Sequence, residues 1–454
     1  MDLKVGPTIE AAVGLIGISM KKTIIASLLL GCWASTAATS LVIAAEADFM
    51  AAMPAHQLNA SNNKAGQFSD WLPQVMLRFN ALPEIQAQSA RRQQAQLSIQ
   101  AADKAVYNPE LGMSYQNADD DTYTLDISQT IDWGDKRGVA TRMAQLESEI
   151  LLSDITLERS QMLAERLQAL ADQGQARKAL QFQQQQFKRA KAQLDIARQR
   201  TEVGDLSNVE LQLMQLEVAS NAADYALAEQ ASIAADGAVL GLFGEVSLPF
   251  ADFLNTLTIK ASKLDVSPEL PALKSAYQQV LVAKVAASQA KSNNAADPTI
   301  SLSAEREGDE NKVAVGVSIP LQFRNNYSEV IAVANEGITI AEQNYLAQER
   351  VLLQQQKQFA LSLPRLTQHY QNWSELVLTS GLEAAKSIAQ QWKTGDINTS
   401  DYLQSQRQMS SSYLAGLALE SALYKNWLTW MGASGQLESY LNSQLPQTAR
   451  TTVK

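Results

Sequence analysis

Side chains that could perform catalysis or hold a metal are few in this sequence and lie far apart. Among its 454 residues are two histidines, His56 and His369, and one cysteine, Cys32. A protein-bound zinc ion needs several such ligands close together, and a disulfide needs a second cysteine. The sequence has neither a phosphate-binding glycine loop nor a nucleophile with a matching base. We therefore expect no enzyme, no resident metal and no cofactor.

Polar residues recur instead in two short turns that are 191 positions apart. Residues 204–207 read GDLS and residues 395–398 read GDIN. In each turn a Ser or Asn is followed three positions later by an acidic residue, Glu210 or Asp401. This is the spacing of a helix N-cap with a capping box. Each turn is therefore predicted to join two helices.

Other segments repeat with nearly the same offset. Residues 108–114, NPELGMS, correspond to residues 297–303, DPTISLS, 189 positions later. Residues 125–133 and 315–323 are 190 positions apart. A register that holds within a few residues over most of the chain indicates two internal structural repeats.

Each repeat contains a β-hairpin in which apolar residues alternate with small or polar ones. The apolar positions are Leu111, Met113, Tyr115, Tyr123, Leu125, Ile127 and Ile131 in the first hairpin, and Ile300, Leu302, Val313, Val315, Val317, Ile319 and Leu321 in the second. A period of two predicts either strands between lipid and a wet lumen or a half-buried soluble sheet. Strands of about ten residues are long enough to cross a bilayer at a tilt, which favours the membrane.

Long helices follow each hairpin, as the low content of 21 Gly and 12 Pro suggests. Residues 138–201 contain no proline and, after Gly138, a single glycine, Gly174, so this helix would extend for roughly 100 Å. Heptad spacing predicts coiled-coil packing. The heptad positions are Leu180, Phe187 and Leu194, then Val209, Leu216 and Ala223, and finally Tyr402, Met409, Gly416 and Leu423. Pro364 predicts a kink in the second repeat. With a net charge of −10 and scattered basic residues, a nucleic-acid partner is not expected.

The N-terminus has the pattern of a secretory signal peptide. Met20 and two lysines precede an apolar run, and residues 45–47, AEA, form a small-x-small cleavage site. The mature chain would begin near Asp48, and either Met1 or Met20 is the true start. Cys32 follows residues 29–31, LLG, which leaves open lipidation of Cys32 or a plain apolar cysteine within the signal peptide.

From about residue 82 to residue 435 the chain resembles the TolC family of outer-membrane efflux proteins. The resemblance rests on the duplicated Asn/Asp-Pro starts of the strands, the glycine-containing turns and residues 129–137, QTIDWGDKR, which resemble the branch paired with heavy-metal exporters. It implies a mainly α fold with a membrane β-barrel, in which a trimeric outer-membrane barrel with four strands per subunit is continued by a long periplasmic α-helical coiled-coil barrel. Four strands cannot close a barrel alone, and an open edge in lipid leaves backbone groups unpaired, so trimerisation also has a physical reason.

The repeats and the resemblance together divide the chain into eight segments. They are 1–47 for an N-terminal extension and signal peptide, 48–107 for an N-terminal segment and first helix, 108–132 for the first β-hairpin, 133–246 for the first long helical hairpin, 247–296 for a linker and the first helix of the second repeat, 297–323 for the second β-hairpin, 324–435 for the second long helical hairpin and 436–454 for a C-terminal tail.

The resemblance assigns roles to the residues of the two turns. The adaptor-docking tips would be Gly204, Asp205, Leu206, Gly395, Asp396 and Ile397, and the periplasmic gate would include Glu210, Asp401 and Gln404. In the family an aspartate at the position of Asp401 can be followed one turn later by a second acidic residue, whereas this chain has Gln404. Two other interpretations stay open: Glu210 and Asp401 as capping residues, and Leu206 and Ile397 as hydrophobic staples that pack near Leu211 or Tyr402.

The function that these patterns favour is the outer-membrane channel of a tripartite efflux system, a passive exit duct in the cell outer membrane that is opened by its partners. Those partners would be a periplasmic adaptor (membrane fusion) protein, an inner-membrane transporter, outer-membrane lipid and two further copies of the chain. An outer-membrane component of a type I protein secretion system is a second hypothesis. A periplasmic coiled-coil adaptor or structural protein is a third. Metal ions, drugs, other small molecules and protein all remain possible cargo, and the matching pump is undetermined.

Overall fold

The computed structural model of the chain describes residues 68, 71–117, 119–250, 253–254, 257, 266–394 and 396–445. The predicted signal peptide, Cys32, His56 and Gly395 lie outside these residues.

Two repeats of the same element order make up the described chain. The first contains α1 (Leu72–Asn80), α2 (Pro83–Ala102), β1 (Glu110–Gln116), β2 (Thr122–Thr130), α3 (Lys136–Glu202) and α4 (Asn208–Phe243). The second contains α5 (Pro271–Asn293), β3 (Thr299–Glu307), β4 (Glu310–Ser318), α6 (Ser328–Trp373), a π-helical segment (Ser374–Ser380), α7 (Gly381–Thr394), α8 (Thr399–Ser434) and α9 (Leu437–Gln444). The duplicated helix, β-hairpin and helical hairpin predicted from the sequence are confirmed.

The two β-hairpins join into one antiparallel sheet with the strand order β1-β2-β3-β4. Strand β2 pairs with β3 along its whole length, from Thr122 opposite Glu307 to Thr130 opposite Thr299. Side chains of one row across a sheet point to the same face. The row Leu111, Ile127, Leu302 and Val315 is apolar, and the adjacent row Gly112, Asp126, Ser303 and Ala314 is small or polar. The register therefore gives the sheet one apolar and one polar face.

The apolar face of this sheet is the exposed one. Met113 and Val315 are each 75% exposed, whereas the polar residues that alternate along β2 and β3 are less accessible than their apolar neighbours. A single-layer sheet whose polar face is less accessible is curved toward that face. Soluble sheets do the opposite, since burial of apolar surface stabilises them by about 25 cal/mol for each Å². The sheet therefore has the inverted pattern of a lipid-facing barrel wall.

The largest apolar core lies where helices of both repeats meet. Aromatic rings of Trp71, Phe79, Phe253, Tyr424 and Trp427 pack there with leucines of α3, α8 and α9. Phe253 is in contact with three of the other rings, including Tyr424 at 4.7 Å between centroids. This cluster packs the middle of α3 against the end of α8 that lies away from the tips.

The second helical hairpin departs from the sequence prediction in one place. Pro364 lies inside α6 without ending it, and the irregular stretch is the π-helical segment Ser374–Ser380 farther along. Trp373 immediately precedes that segment, and its indole N–H donates to the carbonyl oxygen of Ser412 at 2.8 Å. Pro364 therefore does not end the helix, and the change of helix type falls beside Trp373 instead.

Helix α4 is the described helix that is long and apolar enough to cross a membrane by length and composition. Its predicted heptad positions Val209 and Leu216 are exposed within the chain, by 66% and 64%, and so is the neighbouring Leu227. Within the single chain this face of α4 is therefore left uncovered, and the predicted coiled-coil packing has to involve a surface outside this chain. In contrast, the seam of α8 is buried as predicted at Tyr402, Gly416 and Leu423.

Candidate channel wall and periplasmic tips

The first turn is a tight connection between α3 and α4. Gly204 has a φ of +83°, which favours glycine, and the Asp205 N–H donates to the Arg200 carbonyl at 2.8 Å. Ser207 then begins α4 with a complete capping box. The Glu210 N–H donates to Ser207 Oγ at 3.3 Å, and the Ser207 N–H donates to a Glu210 carboxylate oxygen at 3.0 Å. The capping interpretation of Glu210 is confirmed.

Leu206 points into the helical hairpin and not into solvent. It is 6% exposed and packs in a cluster that includes Leu194, Met214 and Leu403. Ile397, its counterpart in the second turn, is half-buried against the same cluster. A side chain that docks a partner has to be accessible, so the buried Leu206 does not fit the docking role that the resemblance assigned to it. The turn aims this side chain between α3, α4 and α8, as the staple interpretation required.

The exposed apolar side chains at the first turn are Val203 and Val209, which were not among the predicted tip residues. They are 77% and 66% exposed on either side of Gly204. The second repeat has Thr394 and Ser400 at the equivalent positions, 191 residues later. This difference between the repeats is the sequence signal that could have identified the two valines. Because Leu206 packs inward, Val203 and Val209 are the apolar side chains of the turn that face solvent.

The second turn is closed by a different set of hydrogen bonds. The Asp396 N–H donates to the Gln391 carbonyl at 2.8 Å, and the Thr394 hydroxyl donates to an Asp396 carboxylate oxygen at 2.6 Å. The Asp401 N–H donates to Asn398 Oδ1 at 2.7 Å, which caps α8. The Asp401 carboxylate is exposed and, among the described residues, makes no return bond of the kind that Glu210 makes. Gln404 is exposed one turn farther along α8.

Side chains near the tips connect the two helical hairpins. Gln193 donates to the Tyr402 hydroxyl at 2.8 Å, and Arg407 Nε donates to a Glu217 carboxylate oxygen at 2.7 Å. A polar cavity of about 310 Å³ lies between α3, α4 and α8 next to this ion pair. Burial and the nearby Glu217 carboxylate raise the pKa of Asp224 at the cavity wall. The tips are therefore held together by polar as well as apolar contacts.

Solved outer-membrane channels have the same architecture. The Campylobacter jejuni CmeC outer membrane channel superposes with a TM-score of 0.67 at 13% identity, covering 82% of this chain and 89% of that one. The open state of the Neisseria gonorrhoeae MtrE outer membrane channel gives 0.66 at 14% identity, covering 84% and 95%. CusC, in structures concerned with transmembrane channel formation, gives 0.68 at 12% identity, covering 83% and 95%. This chain has the fold of an outer-membrane channel.

The TolC-like architecture that the resemblance implied is thereby confirmed. No protein-family profile matches the sequence, and comparison with curated proteins gives no match. At identities this low, the likeness to solved structures establishes the fold and leaves the activity to be argued from the residues.

Where the barrel strands of this channel fold meet the helices, a buried carboxylate fixes the junction. Asp297 forms an ion pair with Lys136 at 2.7 Å and accepts hydrogen bonds from the Tyr107 hydroxyl and from the Trp133 and Gly134 N–H groups. Burial raises the pKa of Asp297, but its bonds to Lys136, Tyr107 and Gly134 outweigh that effect and hold the pKa below its usual range. Burial likewise lowers the pKa of Lys136, and its bonds to Asp297 and Tyr107 raise it above the usual range.

Proposed function

We propose that this chain is the outer-membrane channel subunit of a tripartite export system, a passive duct from the periplasm across the outer membrane. The inverted sheet carries the proposal. A sheet with its apolar face outward and its polar face on the concave side is stable when lipid surrounds it and water fills the inside. The helical hairpins then extend from the barrel into the periplasm.

Assembly as a homotrimer follows from two unpartnered features of the described chain. The edges of β1 and β4 have no neighbour within the sheet order β1-β2-β3-β4. Unpaired backbone groups in lipid cost several kcal/mol each, which is avoided when further copies close the barrel. The exposed heptad face of α4, which includes Leu213, Leu216 and Leu227, would be covered by a neighbouring copy.

The tips would be the contact with the periplasmic adaptor, which couples the duct to an inner-membrane transporter. At the first tip Val203 and Val209 offer exposed apolar surface on both sides of Gly204, with Asp205 beside them. Leu206 and Ile397 support the tips from inside the hairpins. The second tip contains Asp396, and its flanking residues Thr394 and Ser400 are polar, so the first tip contributes most of the apolar docking surface.

The docking role is tested by charging each tip separately. Val203→Asp with Val209→Asp should abolish export of toxic solutes from cells, while trimer yield and conductance of the purified channel stay unchanged. Thr394→Asp with Ser400→Asp is the matched control in the second repeat and should retain most export. Export that survives the first double substitution, with the adaptor still captured at wild-type strength, would refute the docking role. The same cells, given either small toxic solutes or a secreted protein, also separate efflux from protein secretion.

The gate would lie at the second tip, where Asp401 begins α8. Three copies of an exposed carboxylate around the trimer axis concentrate negative potential and favour cations. Gln404 one turn farther leaves this ring with a single carboxylate from each chain. Asp401→Ala should therefore lower the cation preference of the channel in planar bilayers. If Asp401→Ala leaves the selectivity unchanged and only lowers the thermal stability, the role of Asp401 is to cap the start of α8.

A further inference from the structure

A carboxylate in the middle of the barrel wall is not used by the tips or by the gate. Strand register places Asp126 of β2 in one row with Gly112, Ser303 and Ala314, on the concave polar face of the sheet. It is the charged residue of that row. The rows on either side of it lie closer to the helices or to the strand turns, so Asp126 lies near mid-height of the sheet.

The neighbours of Asp126 leave space for its side chain on that face. A Cβ added at Gly112 would lie 2.3 Å from an Asp126 carboxylate oxygen, so the carboxylate lies directly over the glycine backbone of β1. Ser303 and Ala314 continue the row with short side chains. The neighbours of Asp126 in this row are therefore all small, and none of them covers its carboxylate on the concave face.

No cation of the described chain neutralises Asp126 within ion-pair distance. The basic residue nearest along the polar face is Lys312 of β4, one row toward the strand turns. It lies 3.8 Å from Glu305 and also pairs with Glu307. In the row on the other side of Asp126, Glu110 adds a further carboxylate among Ser128, Ser301 and Gly316. Charge on the polar face is therefore negative at and around Asp126.

We propose that Asp126 is a selectivity-determining residue of the barrel lumen, where its three copies form a ring that favours cationic over anionic solutes. This inference rests on the proposed trimeric channel. Rings of acidic side chains favour cations in pores because they raise the local potential where no counter-charge is fixed. The ring belongs to the membrane-spanning barrel, so it would select solutes independently of the periplasmic gate at Asp401.

The experiment is the permeability ratio of K⁺ to Cl⁻ across planar bilayers that contain the purified full-length channel. In about 0.1 M KCl, Asp126→Asn should lower this ratio roughly twofold. Asp119→Asn removes the same charge in the β1–β2 turn and should leave the ratio unchanged. In about 1 M KCl the difference should vanish, since the screening length falls from about 10 Å to about 3 Å.

A second variant covers the case in which Asp126→Asn does not assemble. Ser303→Lys keeps Asp126 and adds a positive charge to the same row, so it should lower the ratio at least as much. If the variants form conducting channels and neither changes the permeability ratio of K⁺ to Cl⁻ in about 0.1 M KCl, the selectivity role is overturned. That result would leave the proposed channel function intact. A wild-type protein that forms no conducting pore at all overturns the proposed function itself.

Discussion

The two helical hairpins share a topology but differ in how they are stabilised. The first consists of α3, an uninterrupted helix of 67 residues, and α4, which begins with a complete capping box. The second is divided into α6, the π-helical segment and α7, and α8 begins with one capping bond from Asn398. Regular backbone hydrogen bonding stabilises the first hairpin, whereas the second depends more on side-chain contacts to α8. Conformational change is therefore easier to accommodate in the second hairpin.

The largest effect expected from this difference between repeats is at the junction of barrel and helices. The second repeat has Asp297 where the first has Asn108. Asp297→Asn, which makes the repeats alike, should lower the free energy of unfolding by about 3 kcal/mol because Lys136 loses its partner while mostly buried. Thermal unfolding of the purified channel measures this. A loss below about 0.5 kcal/mol would show that the ion pair is dispensable.

The same ion pair predicts how stability depends on pH. The pKa of Asp297 is lowered from the usual 3.8 of an aspartate, so its stabilisation is present above that pH and is lost as the pH falls through the still lower folded pKa. The pKa of Lys136 is raised from 10.5, so its contribution is present below pH 10.5 and is lost as the pH rises through the higher folded value. Asp297→Asn should therefore flatten the acid limb of the stability profile below pH 3.8.

The next largest loss of stability is expected at the contact between Trp373 and Gly416, beside the π-helical segment of the second hairpin. A Cβ at Gly416 would lie 1.8 Å from the Trp373 ring, so Gly416→Ala must displace the indole next to the π-helical segment. We expect a loss of about 2–3 kcal/mol. Gly174→Ala in α3 is the matched control, since its Cβ would meet Phe250 at an ordinary 3.9 Å. That control should be neutral or stabilising by about 0.5–1 kcal/mol. Equal effects of the two substitutions would remove the distinction between the hairpins.

The smallest difference lies between the two turns. Leu206→Ala should cost about 2 kcal/mol because Leu206 is buried in the tip cluster, and Ile397→Ala should cost about 1 kcal/mol because Ile397 is half-buried. Both are measured by chemical denaturation of the trimer. If Ile397→Ala costs more than Leu206→Ala, the second turn is the better packed of the two and the comparison is reversed.

Much of the fold could be predicted because its signals are local and duplicated. The period-two pattern of Leu125 and Ile127, echoed by Leu302 and Val315, correctly indicated strands with one apolar face. Heptads correctly indicated the buried seam of α8. In α4 the same pattern identified an apolar face that is exposed within the chain, since spacing does not show whether the partner of a face belongs to the same chain.

The candidate site was predicted less well because it depends on backbone geometry and on distant contacts. The direction of Leu206 follows from the turn at Gly204, and a staple and an exposed anchor have the same sequence. The π-helical segment begins next to Trp373, whose contact with Gly416, 43 positions later, has no local signal. Lys136 and Asp297 each lie in a segment that the repeats singled out, yet their pairing across 161 positions has no local signal.

The most direct test of the account is the mass of the complex extracted from outer membranes in detergent and measured by native mass spectrometry. The account predicts three copies of the processed chain in one particle, because four strands with open edges close a barrel in lipid when further copies pair with β1 and β4. A stable monomer recovered from the soluble periplasmic fraction would contradict it.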